Sequence, residues 1–204
     1  MYQKKVLILR SAIGFFGAES VILEIAKGLA TSHYKPIIGV FQNSHNPHLE
    51  LVTCAQQNNI ETAIFSCSHQ FDFRTIRALC NFVKNKQISI LNSHGYKANF
   101  YALMVKKFVQ IPLVATCHPW LESSIRTKFY AWLDKNLLKK FDQITAISNI
   151  EKNEIRQRVA AHKISVINNG VDISRFAKIY NIKKIKAELG IKSDGKVVGT
   201  VGRL

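Results

Sequence analysis

The sequence predicts an α/β fold, a Rossmann-like doubly wound parallel sheet, and three observations carry that expectation. Short β-branched runs alternate with longer segments of helical spacing along most of the chain. Several short runs, such as Val6-Leu7-Ile8-Leu9, are apolar on consecutive residues, as suits a strand buried on both faces of a parallel sheet. Strands that alternate with helices join through right-handed crossovers into one layered sheet.

Taken in order, the first expected strand is 5–9, an apolar run directly behind two lysines. It is followed by a helix over 18–32. The second strand, 36–41, holds Ile37, Ile38, Val40 and Phe41, and leads to a helix over 47–58. Strands at 62–65, 88–92 and 113–116 come next, with helices at 73–86, 97–109 and 123–140 between and after them. A sixth strand at 143–147 runs into a helix over 149–160, for which Ser148 and Asn149 are good N-caps. The seventh strand, 163–167, ends before Asn169-Gly170, a strong turn signal.

Beyond that turn the pattern changes. A basic stretch over 178–186 leads to a short helix that Gly190 is suited to cap. Lys196 through Leu204 then reads as the first strand of another sheet, a strand with no partner of its own. The expected organisation is therefore a first domain over 1–176, a linker with a short helix over 177–195, and at 196–204 the opening strand of a second, truncated domain.

Composition narrows the function. At 204 residues and 47% hydrophobic, the chain is long enough to bury a core. It has no apolar run of the roughly 20 residues that a membrane span needs, and the run behind the N-terminus is too short for a signal peptide. Cys54, Cys67, Cys80 and Cys117 lie 13, 13 and 37 residues apart, which is neither a zinc spacing nor a dense disulfide framework. Reduced thiols in a cytoplasmic protein are expected. A net charge of +16 attracts an anionic partner: nucleic acid, an acidic leaflet or a phosphorylated small molecule. No nucleic-acid motif accompanies it.

In an open α/β sheet, ligands bind beyond the carboxyl ends of the strands. The residues placed there are polar and glycine-flanked: Arg10 through Glu19 after the first strand, Ser93-His94-Gly95 after the fourth, Cys117-His118-Pro119-Trp120 after the fifth, Ser148-Asn149 after the sixth, and Asn168 through Asp172 after the seventh. The loop with Gly14 and Gly17 lacks G-x-G-x-x-G spacing, which excludes a dinucleotide fingerprint. It remains either a plain strand–helix turn or a set of N–H donors at a helix start, facing a phosphate or sugar hydroxyl. His94 and His118, beyond separate strands, point to at least one imidazole facing a ligand. Metal-protease, nucleophile-elbow and P-loop signatures are absent. Cys117 and His118, as neighbours at a strand end, point to opposite faces and make a poor nucleophile–base pair.

Read together, these segments resemble the amino-terminal domain of family-four (group 1) glycosyltransferases of the GT-B fold. The first loop, commonly G-G-A-E in that family, is Phe16-Gly17-Ala18-Glu19. An H-S-H-G motif appears as Asn92-Ser93-His94-Gly95, T-x-H-G as Thr116-Cys117-His118-Pro119, and V-S as Ile147-Ser148. N-G-V-D-x-x-x-F is matched completely from Asn169 to Phe176, and Gly199 through Leu204 resembles the entry to the second domain. Phenylalanine at 16 and proline at 119 depart from the family's glycines.

The resemblance implies a nucleotide-sugar-dependent glycosyltransferase that moves a hexose to a cell-surface polysaccharide or lipid-linked acceptor. The transfer would be retaining and independent of metal, with no cofactor beyond the nucleotide-sugar donor. His118 would contact the donor sugar near the reacting carbon. Gly17, Glu19, His94, Ser148 and Asn169 would line the substrate cleft, and Arg203 would reach the diphosphate. The paired glutamates of an E-x7-E type motif belong to the second domain, so this chain alone is expected to be inactive. The alternative is a non-catalytic or truncated Rossmann-like binding module.

The segment 122–141 allows two readings. Arg126, Lys128, Lys135, Lys139 and Lys140 stand there among Phe129, Tyr130, Trp132 and several leucines. Ordinary packing of an amphipathic helix on the sheet is favoured by the periodicity. A rest on an anionic leaflet, at the inner face of the cytoplasmic membrane, is the other.

Overall fold

The structure, a computed structural model, describes residues 3–42, 47–68, 72–120, 123–170, 173, 181–192 and 194–200. It divides into two compact units, Met1–Gly170 and Val171–Leu204.

The first unit is built on seven strands: β1 Lys4–Arg10, β2 Tyr34–Gln42, β3 Glu61–Ser66, β4 Ile88–His94, β5 Leu113–Cys117, β6 Gln143–Ala146 and β7 Ile164–Val166. They form one sheet in the order β3-β2-β1-β4-β5-β6-β7, and every pairing is parallel. The doubly wound parallel sheet expected from the sequence is therefore present. Its helices are α1 Gly17–Ala30, α2 Glu50–Gln57, α3 Phe73–Asn85, α4 Tyr96–Phe108, α5 Ile125–Leu137 and α6 Asn149–Arg156.

Side chains on a strand alternate between the two faces of the sheet, and here each face has its own core. Val6, Ile8, Ile38 and Val40 pack with Ile22, Leu23 and Ala26 of α1 and with Leu51, Val52 and Ala55 of α2. Leu7, Leu9, Ile37 and Phe41 pack instead with Ile76, Leu79 and Val83 of α3 and with Ala98, Tyr101, Ala102 and Val105 of α4. Ile144 and Ala146 of β6 extend this second core toward Leu138 and Ile155. The consecutive apolar residues of β1 thus serve two cores at once. Where β2 crosses β1 the contact is close: a Cβ on Gly39 would stand 2.7 Å from Leu9 Cδ2.

The winding sets the position of the site. From β1 the chain moves outward through β2 to β3, then returns to place β4 on the other side of β1. In open α/β sheets ligands bind at such a reversal, beyond the carboxyl ends of the strands on either side, here β1 and β4. Arg10 is the register partner of His94 there, and His94 is the partner of Thr116 on β5.

Element ends differ from the sequence expectation where caps or loop geometry intervene. The helix expected over 47–58 is reduced to Glu50–Gln57. The one expected over 123–140 starts after Ser124, whose hydroxyl accepts from Thr127 N, and tightens into a 3₁₀ turn at Leu138–Lys140. That expected over 149–160 ends at Arg156, and a separate 3₁₀ turn at Ala161–Lys163 precedes β7.

In the second unit, α7 spans Ile182–Glu188, capped by Asn181, whose side chain accepts from Lys184 N. Gly190 follows with φ +67°, the left-handed conformation in which a helix C-terminus favours glycine. Residues 196–200, where a strand was expected, have no regular secondary structure. The remainder of that expectation, 201–204, and Asp172 through Phe176 apart from Ile173 lie outside the described residues. None of the four cysteines is in a disulfide. Among the described residues, no helix is long and apolar enough to cross a membrane.

Candidate active site at the sheet switch point

Four side chains meet where the sheet reverses. Arg10, the last residue of β1, turns its Nε onto Glu19 Oε1 at 2.8 Å. Glu19 sits in the first turn of α1, and its other oxygen accepts from Phe16 N at 3.0 Å, which caps the helix. A carboxylate at a helix N-terminus is favoured by the orphan N–H groups and the dipole. With Arg10 added, both Glu19 oxygens are engaged and the carboxylate is almost completely buried. Arg10 Nη1 also approaches the His94 carbonyl at 3.4 Å.

His94 ends β4 and is followed by Gly95, which has φ +87° and starts α4. A side chain at 95 would be strained by that backbone, and its Cβ would stand 3.1 Å from Arg10 Nη1. Glycine therefore lets the start of α4 and the guanidinium share one corner. His118 lies just past β5, half-buried, and its Nε2 is 3.0 Å from His94 Nδ1.

Burial, first, and then the charge on Arg10 push His118 down to about 4, while Glu19 and Glu151 pull it partly back up. His94 is 1% exposed and is driven well below its usual range by burial, then by His118 and Arg10. At neutral pH both rings are uncharged, and Arg10 stands beside them as a cation paired with Glu19.

A second polar cluster fixes the segment that carries His118. Asp134 of α5 accepts from Asn99 Nδ2 at 2.7 Å and from Trp120 Nε1 at 2.9 Å, and Ser93 Oγ donates to Asn99 Oδ1 at 2.6 Å. Burial raises the Asp134 carboxyl, while the Asn99 and Trp120 bonds act in the opposite direction. Lys135 lies over the Trp120 ring at 4.9 Å and pairs with Glu154 of α6. Strand β4, helices α4 and α5 and the loop after β5 are thus tied at one buried carboxylate. Cys117 is sealed among these groups, and burial with the charges of Asp134 and Glu151 pushes its thiol well up, so it is no ready nucleophile.

Of the residues singled out in the sequence, Glu19, His94 and His118 come together, with Gly17 opening α1 beside them. Among the described residues, none stands within 4 Å of a Cβ on Gly17. Ser148 acts as a helix cap: its hydroxyl accepts from Ile150 N at 3.0 Å and donates to Glu151. Asn169 is exposed beyond β7. Arg203 lies outside the described residues. Arg10 and the Asp134 cluster were not among the site residues expected. Arg10 was visible as the cation at a strand's carboxyl end. Asp134, spaced with Ala131 and Leu138 along one helix face, was visible as an acid in an inward line.

A parallel sheet with a buried Arg10–Glu19 ion pair, two neutral imidazoles and a helix start at its reversal gathers polar groups at the carboxyl edge, where open α/β sheets bind ligands. The chain belongs to glycosyltransferase family 4: the family model described as Glycosyltransferase Family 4 matches residues 16–175. It is 28% identical over 141 residues to the UDP-Gal:alpha-D-GlcNAc-diphosphoundecaprenol alpha-1,3-galactosyltransferase of Escherichia coli, covering 65% of this chain and 36% of that protein. Among solved structures it resembles Anabaena Alr3699/HepE in complex with UDP and glucose, with a TM-score of 0.75 at 20% identity over 92% of this chain and 50% of that one. A glycosyltransferase from Rickettsia africae gives a TM-score of 0.73 at 19% identity over 95% of this chain and 51% of that one. The GT-B relationship expected from the motifs is thereby shown, and the chain spans about half the length of these solved proteins.

Proposed function

We propose that this chain is the acceptor-side half of a nucleotide-sugar-dependent glycosyltransferase that moves a hexose onto a lipid-linked or cell-surface polysaccharide acceptor. The observation that carries the reading is the switch-point cluster of Arg10, Glu19, His94 and His118 in a family-4 chain. His118 faces the donor sugar, and the start of α1 at Gly17 faces the diphosphate or the acceptor hydroxyl. Arg203 stabilises the charge of the departing nucleotide, the type of contribution that dominates many transfer reactions. In this reading the reaction retains the anomeric configuration and needs no metal or other cofactor. The donor contacts and the paired glutamates belong to the second domain of the fold in this reading, and the first domain by itself does not transfer sugar.

The test uses the complete reading frame with UDP-hexoses and a polyprenyl-diphosphate-linked sugar. Mass spectrometry of the acceptor should show one added hexose, and NMR of the product should show the donor's anomeric configuration. No transfer to any such acceptor, together with no saturable nucleotide-sugar binding, would leave the non-catalytic binding module as the better reading.

A second observation favours work at a membrane surface. Helix α5 turns Ala131 and Asp134 inward and packs Leu137 against the core, while most of its aromatic residues stay outside. Ile125, Phe129 and Trp132 are 89%, 56% and 55% exposed, with Arg126 over the Tyr130 ring and Tyr130 stacked on Tyr96. Exposed aromatics among cations suit the headgroup layer of an anionic leaflet. In this reading the protein works in the cytoplasm, peripheral at the inner face of the membrane. Co-sedimentation with phosphatidylglycerol vesicles should exceed that with phosphatidylcholine vesicles and weaken with salt. Phe129→Ser with Trp132→Ser should lower it by about tenfold or more, as expected from losing two buried aromatic contacts. Binding unaffected by the double substitution would remove α5 from the interface.

A further inference from the structure

We propose that His94 is a positioning residue that fixes the tautomer of His118, so that His118 offers a ligand an N–H at Nδ1 and no basic lone pair. The proposal rests on the reading of His118 as a ligand contact, and it concerns the form in which that contact is made.

The His94 Nδ1 and His118 Nε2 atoms are 3.0 Å apart, so one proton lies between them. If His118 supplies it, His94 carries its own proton on Nε2. That atom is buried, and no group among the described residues bonds to it. A sealed N–H without an acceptor is among the rarest defects in folded proteins. If His94 supplies the proton instead, its Nε2 is a bare lone pair, which the nearby Arg10 guanidinium tolerates better than an N–H dipole. The second arrangement is favoured. Nε2 of His118 is then occupied as an acceptor, and its remaining proton sits on Nδ1, for which no bond to a described protein group is found.

Two consequences follow for the chemistry. His118 meets sugar hydroxyl or phosphate oxygens as a donor, and it is not available as a general base. His94, at 1% exposure, acts on a ligand only through its neighbour. The charged groups acting on the pair are Arg10, Glu19 and Glu151, from β1, α1 and α6. All three come from different elements, so the tautomer does not depend on one flexible contact.

Free imidazole side chains favour the Nε2–H form, so an Nδ1–H form on both rings is a distinctive signature. The experiment is long-range ¹H–¹⁵N correlation NMR on the 204-residue chain with ¹⁵N-labelled histidine at pH 7. The wild type should show both rings as Nδ1–H. In His94→Leu, His118 should revert to Nε2–H. In His94→Asn, whose amide N–H sits near the former Nδ1, it should stay Nδ1–H. In the complete protein, the kcat for transfer from a UDP-hexose should fall about tenfold in His94→Leu, as for one lost hydrogen bond, and recover most of that in His94→Asn.

An Nε2 proton on wild-type His118 overturns the proposal, and that spectrum decides it even where His94→Leu fails to fold. An unchanged His118 tautomer in a folded His94→Leu chain overturns it as well. The expected tautomers, in a complete protein that transfers no sugar, would sink the transferase reading while leaving the tautomer assignment standing.

Discussion

Removing the His118 imidazole, by His118→Ala in the complete protein, is expected to lower kcat for hexose transfer about 10²–10³-fold, the loss typical of one preorganised donor aimed at developing charge. The KM for the nucleotide-sugar should move less than about tenfold, because the lost contact is one that strengthens in the transition state. The ring is half-buried beside His94, so the substitution also removes the acceptor of a buried N–H, and a thermal melt run alongside separates lost fold from lost chemistry. The pH profile gives an independent check. His118 is pushed down to about 4 by burial and by Arg10, so it is uncharged from about pH 5.5 upward. A wild-type rate that steps near pH 6.5 would assign the step to another group. A kcat for His118→Ala within about threefold of wild type would take His118 out of the reaction.

How much of this was legible in the sequence depends on whether a residue's meaning is local or long-range. Consecutive apolar residues at Val6 to Leu9 announce a strand buried on two faces, and the structure divides them between two cores. The strand-end positions of His94 and His118 follow from the alternation of elements. Their mutual contact depends on strand order, because β4 and β5 must be neighbours before the rings can meet. The pairing of Arg10 with Glu19 bridges a strand end and a helix start and is set by the loop between them. Helix α5 packs Ala131 and Leu137 inward, as its periodicity suggests, and adds a polar anchor in the same line, Asp134 holding Asn99 and Trp120. Periodicity counts apolar residues, and it does not see a buried carboxylate that joins them.

The same reasoning gives the largest stability effect expected in the first unit. Arg10→Met preserves the stem of the side chain and removes its charge, which leaves Glu19 buried with Phe16 N–H as its remaining partner. Removing one member of a buried ion pair costs about 3–5 kcal/mol, because the partner's charge stays desolvated. Urea unfolding of the 204-residue chain at pH 7 should show a large drop in midpoint with an unchanged slope. Glu19→Gln should cost less, since Arg10 is 18% exposed and regains water while the amide oxygen still caps α1. The double substitution should therefore be more stable than Arg10→Met alone, a coupling that only a direct interaction produces. A double substitution no better than Arg10→Met would mean that the guanidinium contributes packing in this corner and that Glu19 is held by the helix N-terminus alone.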